Sequence, residues 1–307
     1  MNRLFTFLLM AILLSWACVR SKSKNKDTKQ DIFAGKSNSA VKEARILQLY
    51  EMPAELKEIS GIAFIDSITI AAVEDENGII YFYNLKDKKI TGTKTFANDG
   101  DYEDLTVVGN DIYVVKSNGK LYQIKDFRKF NSEITEVKTP FNDENNIEGL
   151  TYDRASNRLL IAPKDKGLVA GKKELKDVYE ISLPQHQVNT TPIHTIDLDK
   201  IAAFFKGDGL EEASKKFLKA LGNENMNKIF RTSALAVHPE TQQLFILSSI
   251  NNIIAVMKPD GTINQIIKLS GKEFSQPEGI AFTSDGRLFI SNEGNKHPAN
   301  IIEIAYE

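Results

Sequence analysis

At 307 residues and 42% hydrophobic, the chain can bury a substantial core, as one large all-β domain or as two smaller ones. Its formal net charge of −2 lacks the basic footprint of a nucleic-acid binder, which leaves a small polar ligand, an ion or a protein as partner classes. The single cysteine excludes a disulfide framework.

Residues 1–17 read as a signal peptide. Met1-Asn2-Arg3 is a basic start, Leu4 to Leu14 is nearly all apolar, and Ser15-Trp16-Ala17 precedes Cys18. The apolar run is too short for a comfortable membrane-spanning helix. The Cys at the cut resembles the lipobox of bacterial lipoproteins, with Trp16 departing from the usual small residue. That resemblance implies acylation of Cys18 and attachment to a membrane, where each buried methylene contributes roughly 0.8 kcal/mol. No early acidic run follows Cys18, which favours the periplasmic face of the outer membrane. Residues 18–43 are polar, rich in Ser, Lys and Asn, and read as a flexible tether carrying the lipid-attachment Cys.

A single domain is expected over 44–307. Ala44 to Tyr50 alternates as a strand and stands alone, ahead of a phrase that recurs five times. The copies are Ser60-Gly61-Ile62-Ala63, Glu103-Asp104-Leu105-Thr106, Glu148-Gly149-Leu150-Thr151, Ser233-Ala234-Leu235-Ala236 and Glu278-Gly279-Ile280-Ala281. Each is a Glu or Ser, a small or turn-type residue, an aliphatic, then Ala or Thr. Repeats of about 40–45 residues made of short strands mark β-propeller blades. In the first unit the phrase strand is followed by Thr69 to Val73, an Asn77-Gly78 turn, Ile79 to Leu85 and Ile90 to Phe96. The second and third units repeat the pattern.

After the third unit the text turns helical at about 199–222. Ile-Ala-Ala-Phe-Phe and a Gly-Asp-Gly break precede Leu210, Ala213, Phe217, Leu218 and Leu221 at helical spacing, with Gly222 as C-cap. The long interval before Ser233 is therefore one blade plus an insertion, which predicts five blades; six would require four strands inside the helical text. The fifth unit ends after three strands. The solitary strand 44–50 is expected to be its fourth, closing the ring and removing the free edges.

Equivalent phrase positions surround one axis, so Glu103, Glu148 and Glu278 are expected to converge on the central channel with Ser60 and Ser233. Three carboxylates on a narrow axis repel one another unless protonated, paired with cations or bound to a metal. Oxygen ligands alone select a hard cation, and Ca2+ accepts six to eight. The ends of the second strands add Glu74-Asp75-Glu76, Lys116, Lys164 and Asn292-Glu293. Lys116 and Lys164 offer the competing account, neutralising the Glu of their own blades. The acidic loop Asn142 to Asn146 reads as a solvated turn. His186, His194, His238 and His297 share no spacing, and no Gly-x-Ser-x-Gly, P-loop or His-Glu-x-x-His motif occurs.

From about Ile46 onward the chain resembles the SdiA-regulated (YjiK-like) family of bacterial β-propellers. The matching stretches are Glu58-Ile-Ser-Gly-Ile, Val73-Glu-Asp-Glu-Asn-Gly, Tyr102-Glu-Asp-Leu, Asn146-Ile-Glu-Gly-Leu, Leu244-Phe-Ile-Leu-Ser-Ser, Pro277-Glu-Gly-Ile-Ala-Phe and Leu288-Phe-Ile-Ser-Asn-Glu. The resemblance implies a propeller outside the cytoplasm that binds Ca2+ near Glu103, Glu148 and Glu278, with Asp75 and Asn292 nearby. Two functions follow. One is a tethered binding module that receives a small molecule or protein at the channel rim. The other is a Ca2+-dependent hydrolase of lactonase, phosphoesterase or phytase type, with Glu148 or Asp75 as base and Lys164 as oxyanion partner.

Overall fold

The computed structural model describes residues 40–169, 175–205 and 230–306. Cys18, the signal peptide, most of the tether and the predicted helix around Leu210 to Leu221 lie outside the described residues.

Two strands come first, β1 (Val41–Glu43) and β2 (Arg45–Glu51). Blade 1 is β3 (Ile59–Phe64), β4 (Thr69–Glu74), β5 (Ile79–Asn84) and β6 (Lys89–Thr95). Blade 2 is β7 (Tyr102–Val108), β8 (Asp111–Lys116), β9 (Leu121–Ile124) and β10 (Ile134–Val137). Blade 3 holds β11 (Ile147–Asp153), β12 (Arg158–Pro163), β13 (Leu175–Ser182), β14 (Gln187–Val188) and β15 (His194–Asp197). Blade 4 holds β16 (Ala234–Val237), β17 (Leu244–Ser248), β18 (Ile253–Met257) and β19 (Ile263–Lys268). Blade 5 holds β20 (Pro277–Phe282), β21 (Leu288–Asn292) and β22 (Asn300–Ala305). The inner strands β3, β7, β11, β16 and β20 neighbour one another in that order and back to β3, so five blades close the ring.

The sequence explains which strand lies where. Thr69–Glu74 and Ile253–Met257 are buried throughout, because second and third strands are covered on both faces by adjacent blades. The outer strand Lys89–Thr95 alternates exposed and half-buried, as a strand with one wet face does. Each seam between blades holds its own apolar core. Val73 and Ile80 meet Val114 and Ile124 between blades 1 and 2. Ile70 and Tyr83 meet Phe289 and Ile301 between blades 1 and 5. Each fully buried Ile or Phe contributes about 1.5–3 kcal/mol.

At Gly61 and Gly279 the second phrase residue lacks a side chain for a steric reason. A Cβ at Gly61 would lie 2.5 Å from both the Cα and Oδ1 of Asp104, and one at Gly279 would lie 2.5 Å from the Ser60 carbonyl oxygen. Adjacent inner strands approach too closely at these points for a side chain.

The N-terminal strand closes the ring as expected. β2 pairs antiparallel with β22, Tyr50 opposite Ile301 and Leu49 opposite Ile302. β1, in the stretch read as tether, runs parallel to β19 with Val41 opposite Ile266. Consecutive strands separated by Ala44 thus attach to two different blades. Blade 3 also departs from the simple pattern: its outer strand is broken, β14 pairing with Ile181 and Ser182, and β15 with Leu175 to Val178. Helix α1 (Leu198–Phe204) opens the helical insertion, capped by the Asp197 carboxylate, which accepts from the Asp199 N–H at 3.0 Å. Its Leu198, Ile201 and Ala202 are buried in the core between blades 3 and 4.

Candidate functional site

The three phrase glutamates share a backbone device. In β7, Tyr102 pairs with Lys116 but Asp104 pairs with Val115, so Glu103 is an extra residue. In β11 the shift falls between Ile147 and Gly149, and in β20 between Pro277 and Gly279, leaving Glu148 and Glu278 in the same position. A bulge re-aims a side chain out of the regular alternation, and bulges concentrate near functional sites. Three of them at one end of three inner strands set three carboxylates at one mouth of the channel.

Their electrostatics are coupled. Burial, reinforced by Glu148 and Asp101, pushes the Glu103 carboxyl up to about 9 against the pull of Lys164. Burial and the nearby Glu148 push Glu278 up to about 7. Burial also raises Glu148 to about 7, although Lys164 and Arg231 hold it down. The Lys164 ammonium donates to Glu148 Oε1, and their side chains are 20% and 5% exposed. Burial lowers the Lys164 amine, but Glu148, Glu278 and Glu103 outweigh it and raise the ammonium's pKa. One lysine therefore serves three carboxylates. Lys116, the other expected counter-ion, lies over the Tyr102 ring at 5.2 Å from its centroid.

Asp75 and Asn292 stand slightly apart, at the seam of blades 1 and 5, where the Gly294 N–H donates to the Lys57 carbonyl at 2.7 Å. Burial, then Glu58 and Glu293, push Asp75 up to about 6. Its Oδ1 is buried without a hydrogen-bond partner among the described residues, as is Asn292 Oδ1. The Asn292 amide nitrogen donates to Asn300 Oδ1 at 2.9 Å. Glu74 belongs to the frame: its carboxylate accepts from the Glu76 and Asn77 N–H groups at 3.0 and 2.7 Å and shapes the rim turn. Among the described residues no three acidic or imidazole side chains are already grouped to hold an ion. Asn142 to Asn146 is a turn pinned by Asn145, whose Oδ1 accepts from the Asn142 N–H at 2.8 Å. His186 and His238 each bond a tyrosine hydroxyl at 3.0 Å, away from this mouth.

Two participants escaped the sequence reading. Asp104 is buried at the channel centre, where its carboxylate takes the Leu105 and Leu150 N–H groups at 2.8 Å each and a further bond from Leu235. Its burial raises the carboxyl well above the usual range despite those donors. The signal was present in the Glu-Asp pair that opens the second phrase, where the other copies have Gly or Ala. Arg231, just ahead of the fourth phrase, donates to Asp165 Oδ1 at 2.5 Å beside Lys164.

The fold and this mouth define a five-bladed β-propeller with an acidic channel entrance. The chain belongs to the SdiA-regulated family, whose profile matches residues 43–299. No curated protein sequence matches it. Among solved structures it is similar to a glutaminyl cyclase of Myxococcus xanthus, with TM-score 0.56 and 12% identity over 87% of this chain and 97% of that one. A streptogramin B lyase structure superposes with TM-score 0.48 and 11% identity, covering 85% of this chain and 98% of the other. At 12% identity the likeness to the cyclase is one of fold alone.

Proposed function

We propose that the protein is a membrane-tethered, extracytoplasmic binding propeller whose acidic mouth takes up Ca2+ and receives a small molecule or protein there. The observation that supports this reading is the charge deficit: three bulge carboxylates share one lysine, and protons make up the difference. A divalent cation satisfies the same deficit more fully. The donor set is all oxygen, which suits a hard ion. Glu103, Glu148 and Glu278 would hold it once Lys164 turns aside, with Asp75 and Asn292 contributing from the neighbouring seam. Tethering through acylated Cys18 would keep that mouth at the envelope, on the periplasmic face of the outer membrane.

Thermal melting of the full chain tests the reading. Ca2+ raises the melting temperature, a chelator reverses the rise, and Glu148→Gln abolishes it; a melt indifferent to Ca2+ sinks the metal site. A second reading, as a Ca2+-dependent hydrolase, draws on Glu148, whose carboxyl near 7 beside Lys164 is matched to general-base work at neutral pH. Lactone, phosphomonoester and phytate hydrolysis with and without Ca2+ distinguishes the two, and inactivity on all three removes the enzyme.

A further inference from the structure

The repeated phrase has a second half, and it builds a second site. Downstream of the bulges each inner strand continues through its aliphatic third residue and its small fourth residue to a larger fifth one. At the far mouth these residues line a cavity of about 380 Å³, with all five blades contributing. Its volume falls in the range of small-molecule pockets.

The cavity has three layers. The third phrase residues, Ile62 and its four equivalents, are at most 2% exposed. The fourth residues, Ala63, Thr106, Thr151, Ala236 and Ala281, are small and leave the space open. Phe64, Val107, Tyr152 and Phe282 flank the opening and are half-buried. Asp104 lies beyond the first layer, tying the Leu105, Leu150 and Leu235 backbones together. It divides the acidic mouth from this one.

Charge at the opening selects the occupant. Two charged side chains line it, Asp66 and Arg154. Asp66 is engaged by its own turn, Oδ1 accepting from the Ile68 and Thr69 N–H groups at 2.9 and 2.7 Å. Arg154 is exposed, and among the described residues its guanidinium makes no ion pair or hydrogen bond. A hydrocarbon body with a carboxylate head matches a cavity whose walls set Phe64, Val107 and Phe282 beside the Thr106 and Thr151 side chains and whose rim carries an available guanidinium. We propose that the far mouth binds a small apolar carboxylate, its hydrocarbon between the inner strands and its head on Arg154. This site does not depend on the cation mouth.

Calorimetric titration of the full chain with decanoate, decanol and decylammonium tests the assignment. Decanoate binds once per chain and most tightly of the three. Arg154→Gln, an exposed change, weakens decanoate about tenfold and leaves decanol unchanged, as expected for loss of a charged hydrogen bond. Val107→Trp narrows the opening and weakens decanoate and decanol together; a melt of that variant reports whether it has folded, and the Arg154 comparison decides the matter if it has not. Absence of decanoate binding, equal affinity for the three head groups, or decanoate affinity unmoved by Arg154→Gln overturns the proposal.

Discussion

Glu103→Gln removes the most strongly perturbed of the three bulge carboxylates and keeps its shape. An ordinary Glu titrates at 4.5, whereas burial and its acidic neighbours push folded Glu103 up to about 9. Between those values the folded chain holds a proton that the unfolded chain has released. The stabilising contribution is therefore complete below the unfolded pKa and is lost as pH rises through the folded one. One proton corresponds to about 1.4 kcal/mol per pH unit. From pH 6 to pH 8 the wild type loses ~2–3 kcal/mol on this account, allowing for water at the rim. For a domain of this size each kcal/mol moves the melting temperature by roughly 2 °C, so the loss is about 4–6 °C. The glutamine is neutral throughout and escapes it. Melting both proteins at pH 6 and pH 8 without divalent cations should show the Glu103→Gln advantage widening by that amount. A gap that stays constant with pH refutes the shared carboxylate field.

The remaining expectations concern the frame of the same channel. Lys164→Met keeps the aliphatic stem but strands Glu148; urea unfolding at pH 7 should show a loss of about 3 kcal/mol, shrinking at pH 5 where the carboxyl takes up a proton. Asp104→Ala orphans the Leu105, Leu150 and Leu235 N–H groups and should cost about 3–5 kcal/mol by the same assay. Asp104→Asn, which still presents an acceptor, should cost markedly less.

What the sequence disclosed and what it withheld divide along physical lines. The blade count and the solitary first strand were legible because strand alternation and a recurring phrase are local signals. The grouping of Glu103, Glu148 and Glu278 was legible because equivalent positions in a ring face one axis. The bulges were not, since an extra residue becomes visible only against its partner strand: Glu103 looks regular until Tyr102 is paired with Lys116. Lys116 and Lys164 occupy equivalent sequence positions, yet one meets Tyr102 and the other Glu148, a choice made by packing. Asp104 read as a turn-type residue because two of its three donors, Leu150 and Leu235, come from other blades. Val41–Glu43 read as tether because three residues carry too little pattern to reveal a parallel pairing with residues 266–268.

The pairing of Tyr50 with Ile301 also sets an order of events. β2 leaves the ribosome ahead of the inner strands of all five blades, and its partner β22 follows them all. Blades 1 to 4 can stack as an open arc during synthesis, but β2 waits roughly 250 residues for β22, a closure of high loop entropy. A chain cut short before Asn300 would therefore leave two open ends, β2 without its partner and β21 with an unpaired edge, on either side of the missing β22. Such ends pair with those of other copies. The closing strand thus acts as a check on the ring, reached only when all five blades have been made.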